Sequence, residues 1–88
     1  MNQRPAKAIL ADNVRRVRVS QGISQEKLAE KAGLHRTYVS QLERQKSNVT
    51  LESLVSIANV LGVSPGSLLT EQELGMPGLS SASEEPES

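Results

Sequence analysis

Cysteine is absent from the 88 residues, which removes both a disulfide framework and thiolate metal sites. Histidine occurs once, as His35, and a single imidazole does not make a zinc site. No Gly-rich phosphate loop, no pair of carboxylates on a plausible cleft and no triad-like setting for His35 can be found, so neither catalytic residues nor a metal or cofactor is expected. Aromatic side chains are equally scarce. Tyr38 stands alone, and the core has to be built from Leu, Val, Ile and Ala. Long apolar runs are missing as well: the opening MNQRPAKAILADNVRR holds no uninterrupted apolar stretch resembling a signal peptide, and no segment approaches membrane-spanning length. A soluble, cytoplasmic chain of one domain with a limited core is the expectation, with no membrane partner and no small-molecule ligand.

Positive charge is missing from the second half. Residues 1–48 contain all ten cations and four carboxylates, a net +6, whereas residues 49–88 contain six carboxylates and no cation, a net −6. The overall charge of zero therefore conceals a basic half, suited to a polyanion, joined to an acidic one. A solvated face followed by a solubilising tail fits the same distribution.

What is present divides into helical patterns separated by stop signals. An arm, residues 1–5, precedes a first helix at about 6–20, where Leu10, Val14 and Val17 recur at helical spacing until Gln21-Gly22. Ser24 is a good N-cap for a second helix, with Glu26 well placed in its first turn; Leu28, Ala29 and Ala32 form its stripe, and Gly33 ends it. A third helix, about 35–44, turns Val39 and Leu42 inward and runs into the polar loop Gln45-Lys46-Ser47-Asn48. Thr50 caps a fourth, in which Leu51, Leu54, Ile57, Ala58 and Leu61 are expected to face the core, and Gly62 closes it. Ser64-Pro65 opens a short fifth helix through Leu69. Residues 6–70 are thus read as one all-α domain. Residues 71–88, rich in Ser, Glu, Pro and Gly, are too poor in apolar side chains to fold and are read as an acidic tail.

The stretch from Gln25 to Glu43 carries the most information. It specifies two short helices joined by a turn of three or four residues around Gly33, a pair that crosses steeply. Ala29 allows close approach, Leu34 plugs the turn, and Val39 and Leu42 pin the second helix, which offers Arg36, Thr37, Ser40, Gln41 and Arg44 outward. These are side chains of the kind that read base edges and grip phosphates.

The pattern Gln25-x-x-Leu28-Ala29-x-x-x-Gly33-Leu34-x-x-x-x-Val39-Ser40-x-Leu42-Glu43 resembles the lambda-repressor/Cro-type (XRE) helix-turn-helix family of transcriptional regulators. The likeness extends from Arg15-Arg16-Val17-Arg18 to Ala58-x-x-Leu61-Gly62-Val63-Ser64-Pro65-x-x-Leu68-Leu69, covering about residues 8–70. It implies a compact five-helix domain whose third helix enters the major groove. By resemblance, Arg36, Thr37 and Gln41 match positions that read base edges, and Gln25 one that touches phosphate and braces the recognition helix. Ser24, Arg44, Lys46 and Asn48 occupy places where such proteins hold the DNA backbone, and Arg18 and Glu43 match a partly buried ion pair. The phosphate set is completed by Ser40 and by Tyr38, whose hydroxyl either reaches a phosphate or merely packs. A narrower likeness, on Arg36-Thr37-Tyr38-Val39-Ser40, Glu43-Arg44 and Asn48-x-Thr50-Leu51, is to the controller proteins of restriction–modification systems.

One recognition helix covers too few base pairs to find a site alone, so a homodimer on a palindromic duplex is expected. Val55, Val60, Val63, Leu68 and Leu69 remain as more apolar surface than one short helix pair hides, and they are the expected joint. The competing reading is a helical interaction module, antitoxin-like or a bridging factor, that kept the fold without contacting DNA.

Overall fold

The computed structural model describes residues 4–71. Among these, five helices and no strand occur: α1 Ala6–Ser20, α2 Gln25–Ala32, α3 Arg36–Glu43, α4 Leu51–Leu61 and α5 Pro65–Leu68. The expected acidic tail lies outside the described residues except for Glu71.

Side-chain caps set the starts. Ser24 Oγ accepts the Lys27 N–H at 2.9 Å, Thr50 Oγ1 that of Ser53 at 3.1 Å, and Ser64 Oγ that of Ser67 at 3.2 Å. Each satisfies one backbone donor that has no partner within its helix. The ends of α2 and α4 turn on Gly33 (φ 74°) and Gly62 (φ 75°) in the left-handed region, where a side chain is disfavoured. The following N–H groups close the motif, Leu34 to the Ala29 carbonyl at 2.8 Å and Val63 to that of Ala58 at 3.0 Å, and Leu34 and Val63 pack on the core. α3 ends in the same hydrogen-bond pattern without glycine. Gln45 takes φ 63°, and the Lys46 N–H donates to the Gln41 carbonyl at 2.7 Å. A left-handed non-glycine residue costs about 1–2 kcal/mol, and the residue that follows is an exposed lysine instead of an apolar plug.

The helices touch in a closed circuit: α1 against α3, α3 against α2, α2 against α4, α4 against α5, and α5 back against α1. Inside it lie Leu10 and Val14, Leu28 and Ala29, Val39 and Leu42, Leu54, Ile57, Ala58 and Leu61, and Leu68. Two expectations need correcting. Leu51 shares the α4 stripe but occupies the first residue of that helix; 74% exposed, it borders a surface groove with Ala6 and Leu69 instead of entering the core. Leu68, expected at a subunit joint, ends the single turn of α5 and is buried in the core.

The α1–α5 contact rests on a residue that no pattern singled out. Asn13 is the one polar residue buried as a whole among the described residues. Its Nδ2 donates to the carbonyls of Leu68 and Thr70, each at 2.9 Å, and its Oδ1 accepts from Arg16 Nη2 at 2.8 Å. Carbonyls at the end of α5 that its single turn cannot satisfy are thus satisfied from α1. On the surface nearby, Arg4 bridges Asp12 and Glu71, with Nη2 2.8 Å from Glu71, tying the chain before α1 to the chain after α5. These hydrogen bonds, first to Asp12 and then to Glu71, push the Arg4 pKa further up. Asn13→Ala should remove the donor from the buried Leu68 carbonyl and lower unfolding stability by about 1–3 kcal/mol, measured by urea denaturation; a change within error would remove Asn13 from the scaffold.

Candidate nucleic-acid interface

The Ser24 cap and the left-handed Gly33 fix where α2 begins and where α3 can start. Val39 and Leu42, both buried, hold one face of α3 on the core, so Arg36 and Thr37 remain exposed on the other. The C-terminal end of α3 is held by charge. Arg18 Nε donates to Glu43 Oε2 at 2.6 Å and Arg18 Nη2 to Glu43 Oε1 at 3.0 Å, a two-pronged pair with side chains only 12% and 4% exposed. Gln25 Nε2 donates to the same Oε1 at 3.0 Å, and Arg18 Nη1 to the Ile23 carbonyl at 2.8 Å. One carboxylate therefore joins the end of α1, the start of α2 and the end of α3.

Beside this knot lies an open groove of about 600 Å³, whose lining includes Ser24, Gln25, Arg36, Thr37, Ser40 and Arg44. Six of the residues singled out for base or phosphate contact thus converge on one surface. Arg18 also lines it, already neutralised by Glu43, so Arg36 and Arg44 supply the positive charge and Glu26 opposes it. Ser24 and Gln25 keep hydrogens beyond those in their internal bonds. The Ser24 oxygen accepts while its O–H is free to donate, and the Gln25 amide carries a second N–H.

The other candidates fall elsewhere. Gln41 is half-buried on α3 and Lys46 exposed just beyond it, and neither lines the groove. Asn48 borders a separate groove of about 370 Å³ with Ala6, Lys7 and Leu51. The Tyr38 hydroxyl oxygen is buried with no hydrogen-bond partner among the described residues. Of the expected joint, Leu68 is core, Val60 and Val63 are half-buried against it, and Val55 and Leu69 remain 40% and 46% exposed. Among the described residues no cluster of His, Asp or Glu is arranged to hold a metal ion, and no helix is long and apolar enough to cross a membrane.

A helix-turn-helix family model matches residues 14–68, from the middle of α1 to the end of α5. The chain belongs to the helix-turn-helix family. It is 52% identical over 68 residues to the control protein C.SmaI of Serratia marcescens, covering 77% of this chain and 81% of that one. To the control protein C.BamHI of Bacillus amyloliquefaciens it is 43% identical, covering 76% of this chain and 84% of that one. Among solved structures, the hypothetical transcription factor NHTF from Neisseria superposes with a TM-score of 0.76 at 42% identity over 81% of this chain and 82% of that one. The restriction-modification controller C.AhdI from Aeromonas hydrophila superposes with 0.68 at 35% identity over 70% and 94%. A helix-turn-helix regulator binds double-stranded DNA through the second helix of the pair, which in this chain is α3.

The burial of the knot makes it a sensitive point. Glu43→Ala should cost about 3–5 kcal/mol, because it strands a guanidinium that is mostly withdrawn from water. Glu52→Ala, in the exposed first turn of α4, should cost under about 1 kcal/mol. Equal shifts in melting temperature would mean that the pair is not holding α3.

Proposed function

We propose that this chain is a sequence-specific transcriptional regulator that acts as a symmetric homodimer on a palindromic duplex. The observation that carries the reading is the convergence of Ser24, Gln25, Arg36, Thr37, Ser40 and Arg44 on one groove flanked by α3. In this reading Arg36, Thr37 and Gln41 meet base edges in the major groove, while Ser24, Gln25, Ser40, Arg44 and Lys46 hold phosphates. Asn48, exposed just beyond Lys46, and Tyr38 are retained as further candidates for phosphate contact. The protein acts by binding and not by catalysis, in the cytoplasm where bacterial DNA is found. The identity to C.SmaI and C.BamHI supports a controller of a restriction–modification system as its subtype. An interaction module indifferent to DNA would have no use for two exposed arginines set in one polar groove.

The dimer reading is supported by apolar surface left open. Leu51, Val55 and Leu69 are exposed, and Leu51 and Leu69 border the groove at the start of α4. Two copies joined there would present two recognition helices to half-sites about 34 Å apart.

Binding to a duplex selected by the protein from a random pool should weaken steeply with salt, each neutralised phosphate contributing about −0.9 to the slope of log K against log salt. Arg36→Ala should cost roughly 1–3 kcal/mol on that duplex and relax preference at one or two positions. Arg44→Ala should weaken binding alike on every sequence. Equal losses for both variants on selected and random duplexes would refute the division into reader and clamp.

Leu51→Asp, at a first-turn position where an acid suits the helix dipole, should lower dimer association in sedimentation and DNA binding together. Val19→Asp, also exposed but on α1, should change neither. A monomer at tens of micromolar that protects a single half-site would overturn the dimer.

A further inference from the structure

Glu26 is the only acid among the residues lining the groove, an odd occupant of a surface meant for a polyanion. Its Oε1 stands 3.8 Å from Arg36 Nη1, with the two side chains 73% and 72% exposed. A pair this open adds little to folding stability. It does set the Arg36 guanidinium beside a carboxylate when no DNA is bound.

Resting on the reading that Arg36 meets a base edge, we propose that Glu26 is a specificity-determining residue that competes with DNA phosphates for Arg36. On DNA the guanidinium has two kinds of partner. A phosphate is available at every sequence and offers chiefly one negative charge, which Glu26 already supplies from within the protein. A guanine edge offers two aligned acceptors and exists only at the right sequence. Exchanging Glu26 for a phosphate therefore gains little, whereas exchanging it for a matching base gains a directed, two-pronged contact. The carboxylate also repels the phosphates themselves, at any sequence. Both effects weaken binding to random DNA more than binding to the proper site, so Glu26 raises discrimination by disfavouring the wrong partners.

The bland role of Glu26 is to complement the positive end of α2, whose first turn it occupies. The two roles separate in a competition experiment with two probes, the duplex selected by the wild-type protein and a shuffled duplex of the same length and composition. E26Q should bind the shuffled duplex up to about fivefold tighter, the range that an exposed pair spans. The salt slope on that duplex should steepen by about 0.9, one phosphate's worth. Affinity for the selected duplex should rise less, so the ratio between the two falls. Glu30→Gln removes the same charge from the same helix outside the groove and should leave the ratio unchanged. In an Arg36→Ala background E26Q should no longer lower it. A purely structural role would shift the melting temperature and leave the ratio alone. An unchanged ratio, an equal rise on both duplexes, or a fall that persists without Arg36 would overturn the proposal while leaving the DNA-binding reading intact. A wild-type protein that prefers neither duplex would sink both.

Discussion

The Glu43 carboxylate has both oxygens engaged, Oε2 by Arg18 Nε and Oε1 by Arg18 Nη2 and Gln25 Nε2, and almost none of it meets water. The remaining prong of Arg18 reaches the Ile23 carbonyl in the segment between α1 and α2. A hydrophobic contact in this position would hold α3 to the core as firmly, and buried ion pairs in general are weak devices for stability. What directed hydrogen bonds add is geometry. They permit one rotation and one height of α3 relative to α1 and α2, while apolar packing tolerates small slips. A helix whose outer face must register with base edges needs that restriction, because a displacement of an ångström moves a side chain off its partner.

Neither member of the pair would stand without the rest of the molecule. α2 and α3 are eight residues each, well below the length at which an isolated helix persists in water. Their stability is tertiary. Leu28, Ala29, Val39 and Leu42 are buried against α4 and α1, and the circuit of helix contacts is closed by α5, one turn long and secured by the Asn13 amide. A core with no aromatic residue has little burial to spare, and polar caps and the Asn13 bridge take over tasks that a larger domain would assign to packing.

Two surfaces of different chemistry result. One is the polar groove at the start of α2 and along α3, where cations and amide or hydroxyl donors gather around a single opposing acid. The other is apolar, around Leu51, Val55 and Leu69 at the start of α4 and the end of α5. In the function proposed for this chain, DNA meets the first surface and a second copy meets the second.

Much of this was legible in the amino-acid sequence because it depends on local rules. Helix starts at Ser24, Thr50 and Ser64 follow from short-range capping, ends at Gly33 and Gly62 from a backbone conformation that glycine adopts freely, and the all-α class from apolar spacing. The end of α3 carried no such mark, since Gln45 enters the left-handed region without being glycine. Spacing also places Leu51 on the inward stripe and leaves Leu68 over for a joint, but whether a stripe position is covered depends on where neighbouring helices stop, and only the packed structure decides that. The partners of Asn13 and Glu26 are invisible to pattern for the same reason. They lie more than fifty residues away in one case and across a turn in the other, and a polar residue acquires its role from what the fold brings within hydrogen-bonding or charge range.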